Sequence, residues 1–226
     1  CSVVGTVSMA QVALTDTRTW THLNSDGGND NFGRNANWSG GNEPDNSTTR
    51  GLFNQSGLDN PLINVNRTVG QLWFTSGSNG ITFEEHGNDR TLTFNASNGD
   101  GLVHEGNVTH VFDANIALGS DQTWYLNGTS GDLEVNDDFD LGSFTLTLDT
   151  VNSANNVLLS SSKGAIVGTG GFIKTGAGTM SITGANTYSG TTVVSGGTLT
   201  ISDASALGTG STTTVQSGGT LALTGG

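Results

Sequence analysis

Several things are scarce in this 226-residue chain, and each shortage excludes something. A single cysteine cannot close a disulfide within the chain, so no covalent staple supports the fold. Only 7 Lys and Arg stand against 20 Asp and Glu, a formal net charge of −13. Nucleic acid and anionic membrane surfaces would be repelled rather than neutralised, so neither is an expected partner. No apolar run is long enough to cross a bilayer as a helix, which excludes insertion by that route. Hydrophobic residues make up 33% and charged residues 12%, too little of either for an ordinary globular domain with a broad core. Strong helix formers never cluster.

What is abundant is glycine, 35 residues, together with asparagine and threonine. That mixture suits short strands joined by many turns. It also generates seven Asn-x-Ser/Thr triplets, at Asn37, Asn46, Asn54, Asn66, Asn95, Asn107 and Asn127, which such a composition produces by chance.

The chain repeats itself. Thr191 to Ile201 read TTVVSGGTLTI and Thr213 to Leu223 read TTVQSGGTLAL, displaced by 22 positions and different at three. A weaker copy, FIKTGAGTMSI, runs from Phe172 to Ile182. A fixed period of this length marks a stacked repeat, each unit burying its apolar face against the next. In TMSI, TLTI and TLAL apolar and small polar residues alternate strictly, which predicts strands with one buried face. Met180, Ile182, Leu199 and Ile201 are therefore expected in the core. Gln216 replaces Val194 between the copies, which points that position to water and turns Val193 and Val215 inward. The pairs Gly196-Gly197 and Gly218-Gly219 fall between two short strands, where a corner needs φ > 0. Strand, glycine corner, strand and loop make one coil of a β-solenoid, an all-β fold whose coils stack at about 4.8 Å.

From Gly168 to Ile201 the sequence GTGGFIKTGAGTMSITGANTYSGTTVVSGGTLTI resembles the autotransporter-associated β-strand repeat of bacterial passenger proteins. The resemblance rests on the core Lys174-Thr-Gly-Ala-Gly-Thr, the loop Gly184-Ala-Asn-Thr-Tyr-Ser-Gly190 and the ending Gly197-Thr-Leu, with Met180 where Leu is usual. It implies a right-handed parallel β-helix, secreted and displayed on the outer surface of a Gram-negative-type bacterium, with no catalytic residues. The lack of disulfides agrees with passage across an outer membrane as an unfolded chain.

Four stretches follow. Residues 1–14 are a β-prone N-terminal segment, 15–61 an aromatic-rich cap that starts the solenoid, 62–167 degenerate coils and 168–226 the repeats. Cys1 is read as part of a first strand, as the remnant of a leader or as a lipidated mature start. Trp20 and Trp38 are the largest apolar groups available to close the end of a core. From Leu62 to Leu159 strand candidates recur about every ten residues, two per coil, and TLTF and TLTL repeat the register of TLTI. Trp73, Phe74, Phe83, Phe94, Phe112, Trp124 and Phe144 are expected in an aromatic, wider core.

Chemistry-bearing patterns are sparse. His104-Glu105 and His110 lack the spacing of a helical zinc motif, and the histidines are expected on the solvated surface. Neither a GxSxG elbow nor a phosphate-binding loop is present. The densest acidic cluster runs from Asp132 through Glu134, Asp137 and Asp138 to Asp140, with Asp137, Asp138 and Asp140 as candidate calcium ligands; the reading without any cofactor is a polar turn. A β-helical polysaccharide lyase or hydrolase would need a nearby cation, and the nearest basic residue in sequence is Lys163.

The expectation is a non-catalytic structural solenoid for surface display or end-to-end fibre assembly, with an adhesin or carbohydrate-binding module as the alternative. The expected partner is a second copy of the chain, and surface glycans under the alternative. Leu221 and Leu223 on the last copy, and Ser2, Val3, Val4, Val7, Val12 and Leu14 as a donated strand, are the candidate assembly residues.

Overall fold

The structure, a computed structural model, describes residues 14, 16–21, 31–34, 37–41, 43–86, 89–154, 156–159, 163–210 and 212–224. It is a parallel β-solenoid. Short strands run round a narrow core, and each strand inside a sheet pairs with the strand one coil before it and one coil after it. Three sheets result. The first face stacks nine strands from Asp16–Thr19 to Thr213–Val215, and the second stacks eight from Leu62–Ile63 to Gly219–Leu223. The third face has five, from Arg67–Val69 to Ile166–Val167. A single short 3₁₀ turn at Ser39–Gly41 is the helical content among the described residues.

The inward positions form continuous ladders. On the first face Leu72, Leu102, Trp124, Leu148, Lys174 and Val194 lie in register and are all buried. On the second, Leu133, Val157, Met180 and Leu199 do the same, and beside them Val135, Leu159 and Ile182 lead to the half-buried Ile201. Full burial of each such side chain contributes about 1.5–3 kcal/mol, so the narrow core gathers its stability from many small increments along the rod.

Where the ladder breaks at the corners, Asn and Asp side chains continue it. Asn60 Oδ1 accepts the amide of Thr82 at 2.9 Å, Asn107 that of Thr129 at 3.0 Å and Asp121 that of Thr145 at 2.7 Å. Asp132 and Asp138 accept the amides of Asn156 and Ala165 at 3.2 and 2.7 Å. Each bond joins one coil to the next and satisfies a main-chain group that the turn leaves without a strand partner. The asparagine-rich composition is thus explained by geometry. Glycine serves the same corners: Gly176 (φ 71°) and Gly197 (φ 64°) are left-handed, and a Cβ at either would collide with a carbonyl of the adjoining coil.

Trp20, Phe32, Trp38 and Phe53 close the first coils. All four are buried, Trp20 and Trp38 meet edge to face at 5.0 Å, and both indoles donate to carbonyls, Trp38 to Phe32 at 2.7 Å and Trp20 to Asp59 at 3.1 Å. Aromatic contact then passes along the axis through Phe74, Phe83, Phe112, Trp124, Phe139, Phe172 and Tyr188.

Four expectations require correction. Coils between 62 and 167 carry three strands rather than two, because two- to four-residue strands such as Asn115–Leu118 and Phe139–Asp140 form a third wall. Trp73 faces outward and is only half-buried, since Leu72 and Phe74 take the inward places; Phe144 likewise only packs partly against the core. Val193 is half-buried while Thr192 and Val194 are buried, the opposite register from that expected. Val215 is 45% exposed. The reason is a one-residue slip between the two faces. Leu199 pairs with Leu221 as the sequence repeat demands, but Val194 pairs with Val215 rather than Gln216. The last corner absorbs the difference, holding Gln216, Ser217 and Gly218 where the previous one holds Ser195 and Gly196. Val215 continues the inward ladder of Val194, and no described coil lies beyond it.

The register makes a direct prediction. Val194→Asp and Leu199→Asp should each cost on the order of several kcal/mol, whereas Val193→Asp and Thr200→Asp should cost less than about 1 kcal/mol. Thermal melting of the four variants checks it, and equal effects within either pair would refute the assignment.

Candidate functional site

The most individual part of the solenoid lies where the third sheet ends. After Ile166–Val167 the third wall is built by the loop 184–190, and three polar side chains seal it. Asn186 is buried; its Oδ1 accepts the amide of Ile166 at 2.8 Å and its Nδ2 donates to Ala206 O at 2.8 Å, so one amide side chain bridges the coils before and after it. Tyr188 is buried edge-on against Phe172, with its hydroxyl 2.8 Å from Thr192 Oγ1. Burial raises the Tyr188 pKa, and the Thr192 hydroxyl partly opposes the shift.

Lys174 is the third. It occupies an apolar ladder between Leu148 and Val194 and is fully buried. Its ammonium donates to the carbonyls of Thr175, Gly176 and Gly196, the last at 3.3 Å and on the next coil. These carbonyls line the two glycine corners. Desolvation lowers the lysine pKa to about 8, against the opposing pull of Asp149. Here a charged side chain caps corner carbonyls that the strand ladder leaves over.

Residues 172–201 match the passenger-associated-transport-repeat. The matched segment contains Lys174, Asn186 and Tyr188, so the polar residues of the motif are the internal staples of the coil. Over 68 residues, 30% of the chain, the sequence is 40% identical to the adhesin BmaC autotransporter of Brucella suis biovar 1 (strain 1330). The aligned stretch is 2% of that relative's length. No solved structure gives a significant match.

The other candidate residues are dispersed. Asp138 and Asp140 accept the amides of Ala165 and Gly142, each at 2.7 Å, and so serve turns. Burial raises the pKa of Asp137, reinforced by Glu85 and Asp138 and opposed mainly by Lys163. Among the described residues no group of three or more His, Cys, Asp or Glu is placed to hold a metal ion. No helix of the described residues is long and apolar enough to cross a membrane, which says nothing of a β-barrel. Ser2, Val3, Val4, Val7 and Val12 lie outside the described residues, while Leu14 is half-buried without strand pairing. Leu221 packs against the core and Leu223 is 77% exposed.

Two features escaped sequence reasoning. His104 and His110 are fully buried, not solvated, because both occupy inward strand positions. On the outside of the first face, Leu52, Trp73, Val103 and Tyr125 fall in register on four successive coils and are each half-buried. Trp73 donates to Glu105 Oε2 at 2.9 Å, and the Arg50 guanidinium lies 4.4 Å from the Trp73 ring centroid. Alternation could have exposed this row, since QLWF and TWYL each place an aromatic beside inward residues.

The buried lysine has a pH signature. With its folded pKa near 8 and the ordinary value at 10.5, the unfolded chain binds more protons between those limits. Wild-type stability should therefore rise with pH across that window relative to Lys174→Met. Urea midpoints of both proteins at pH 7.5 and 10 check this, and a constant difference would refute it.

Proposed function

We propose that this chain is a rod segment of a bacterial surface passenger, a structural β-solenoid whose role is display rather than catalysis and which associates with a second copy of itself. The setting, outside a Gram-negative cell, is supported by the passenger repeat at 172–201 and by the adhesin-named relative. The observation that carries the reading is the continuous parallel stacking of strands along the rod, with the passenger repeat forming part of it. Thr213–Val215 and Gly219–Leu223 are each paired on one side, and Val215 and Leu223 are 45% and 77% exposed on continuing inward ladders. An unpaired strand edge with apolar side chains templates another strand. For this 226-residue chain the proposed occupant is a second copy, by stacking of its first coil or by donation of residues 1–14. The same contact repeated head to tail makes an open filament.

Sedimentation velocity of the chain over a concentration series tests it. The expected result is a weight-average mass that rises with concentration, abolished by Val215→Lys with Leu223→Lys, two changes at exposed places. Loss on deleting residues 1–14 would select the donated strand, and a wild-type monomer at high concentration would overturn assembly.

An adhesive reading is favoured by a different observation, the half-exposed row of Leu52, Trp73, Val103 and Tyr125. Aromatic side chains at partly wet positions are the usual anchors of recognition surfaces. Glycan-array binding that falls at least tenfold in Tyr125→Ala would support it, and absence of binding by the wild type would leave display as the function.

A further inference from the structure

His104 and His110 form a cluster that neither display nor adhesion uses. His104 continues the ladder between Phe74 and Leu126, and His110 continues that of Leu133 on the second face, so the two rings meet across the core edge to face, 4.9 Å apart. Both are fully buried. Their outer nitrogens fix the tautomers. The amide of Ile81 donates to His110 Nδ1 at 3.1 Å, so the His110 proton is on Nε2. His104 Nε2 lies 2.9 Å from Val108 O, an acceptor only, so the His104 proton is on Nε2 and its Nδ1 carries a lone pair. The remaining nitrogens, His104 Nδ1 and His110 Nε2, are buried without a hydrogen-bond partner. A metal ion would need a lone pair on both, and His110 has none to offer in this tautomer.

We propose that the His104–His110 pair is an acid-sensitive break point in the rod, neutral when the coils are closed and opening the coil around residues 104–110 on protonation. A proton can enter the folded pair at His104 Nδ1. It would turn that ring into a cation packed edge to face against His110, in the ladder between Phe74 and Leu126. The charged groups on neighbouring elements are Glu105 beside His104, Glu84 and Glu85 on one flanking strand, and Asp132 and Glu134 on the other. Of these Asp132 acts on His104, weakly favouring the charged form, while desolvation dominates for both rings. Burial holds His110 down at about 3, with His104 adding to the shift, against 6.5 for a free ring. The sign follows: below pH 6.5 the unfolded chain takes up a proton that the closed coil refuses, so stability is complete above that pH and falls as the pH drops towards 3. In a solenoid each coil contacts only its neighbours, so the opening is local.

The test compares wild type with the double variant His104→Leu, His110→Asn, which keeps an acceptor for the Ile81 amide and removes both titrating groups. Limited proteolysis at pH 7.5 and pH 5, with cut sites mapped by mass spectrometry, should show acid-dependent cleavage within 104–110 in the wild type. Per pH unit the opening equilibrium should rise up to about tenfold for each ring that takes up a proton on opening. The variant should show no such dependence. Equal acid sensitivity in both proteins, or cuts confined elsewhere, would overturn the proposal. Should the variant fail to fold, imidazole NMR of the wild type decides: rings that stay neutral while the fold persists support the device, and rings that titrate above pH 5 with the fold intact refute it.

Discussion

Everything in this structure depends on one constraint, that the backbone of each coil must be satisfied by the coils on either side of it. Parallel strands meet the requirement along the faces, and the corners cannot, because there the chain turns out of the ladder. Side chains of Asn60, Asn107, Asp121, Asp132 and Asp138 take over at those points, each accepting an amide of the following coil. Glycines at 176 and 197 let the backbones approach where a Cβ would collide. The composition that is poor for a globular domain is therefore the composition this constraint requires. A narrow core needs few apolar residues, and many corners need many small and amide-bearing ones.

The same constraint explains why polar groups enter the core. Lys174, Asn186 and Tyr188 are buried in the coil where the third sheet stops, and each satisfies main-chain or hydroxyl groups that a strand would otherwise have paired. A buried charge is a poor source of stability on its own. Here the ammonium meets three carbonyls across two glycine corners, which sets the register between adjoining coils. The resemblance to passenger repeats is carried by these internal staples. Outward positions are then free to differ from coil to coil, as with the half-exposed Leu52, Trp73, Val103 and Tyr125 row, because they have no part in closing the coil.

Much of this was legible in the chain. Alternation in TMSI, TLTI and TLAL placed Met180, Ile182, Leu199 and Ile201 towards the core without any knowledge of neighbours, since a period of two is a local property of extended backbone. The repeat of 22 residues predicted stacked coils, and the Lys174 to Gly190 motif pointed to a passenger-type parallel solenoid. Two tryptophans ahead of the repeats suggested an aromatic closure, and Trp20 and Trp38 pack there against Phe32 and Phe53.

What alternation could not settle was register across a corner. The strings around Val193 and Val215 are nearly identical, yet the number of residues a corner absorbs depends on how the next coil seats on it; one extra residue at Gln216–Gly218 sets Val215 rather than Gln216 beside Val194, and Val194 takes its inward place from the ladder of Lys174. The third wall was hidden for a similar reason: strands as short as Phe139–Asp140 carry too few residues to show a period and exist only because a coil on each side pairs with them. His104 and His110 look like polar surface residues in one dimension. Their burial is imposed by the inward ladders of two different sheets, which only stacking brings face to face.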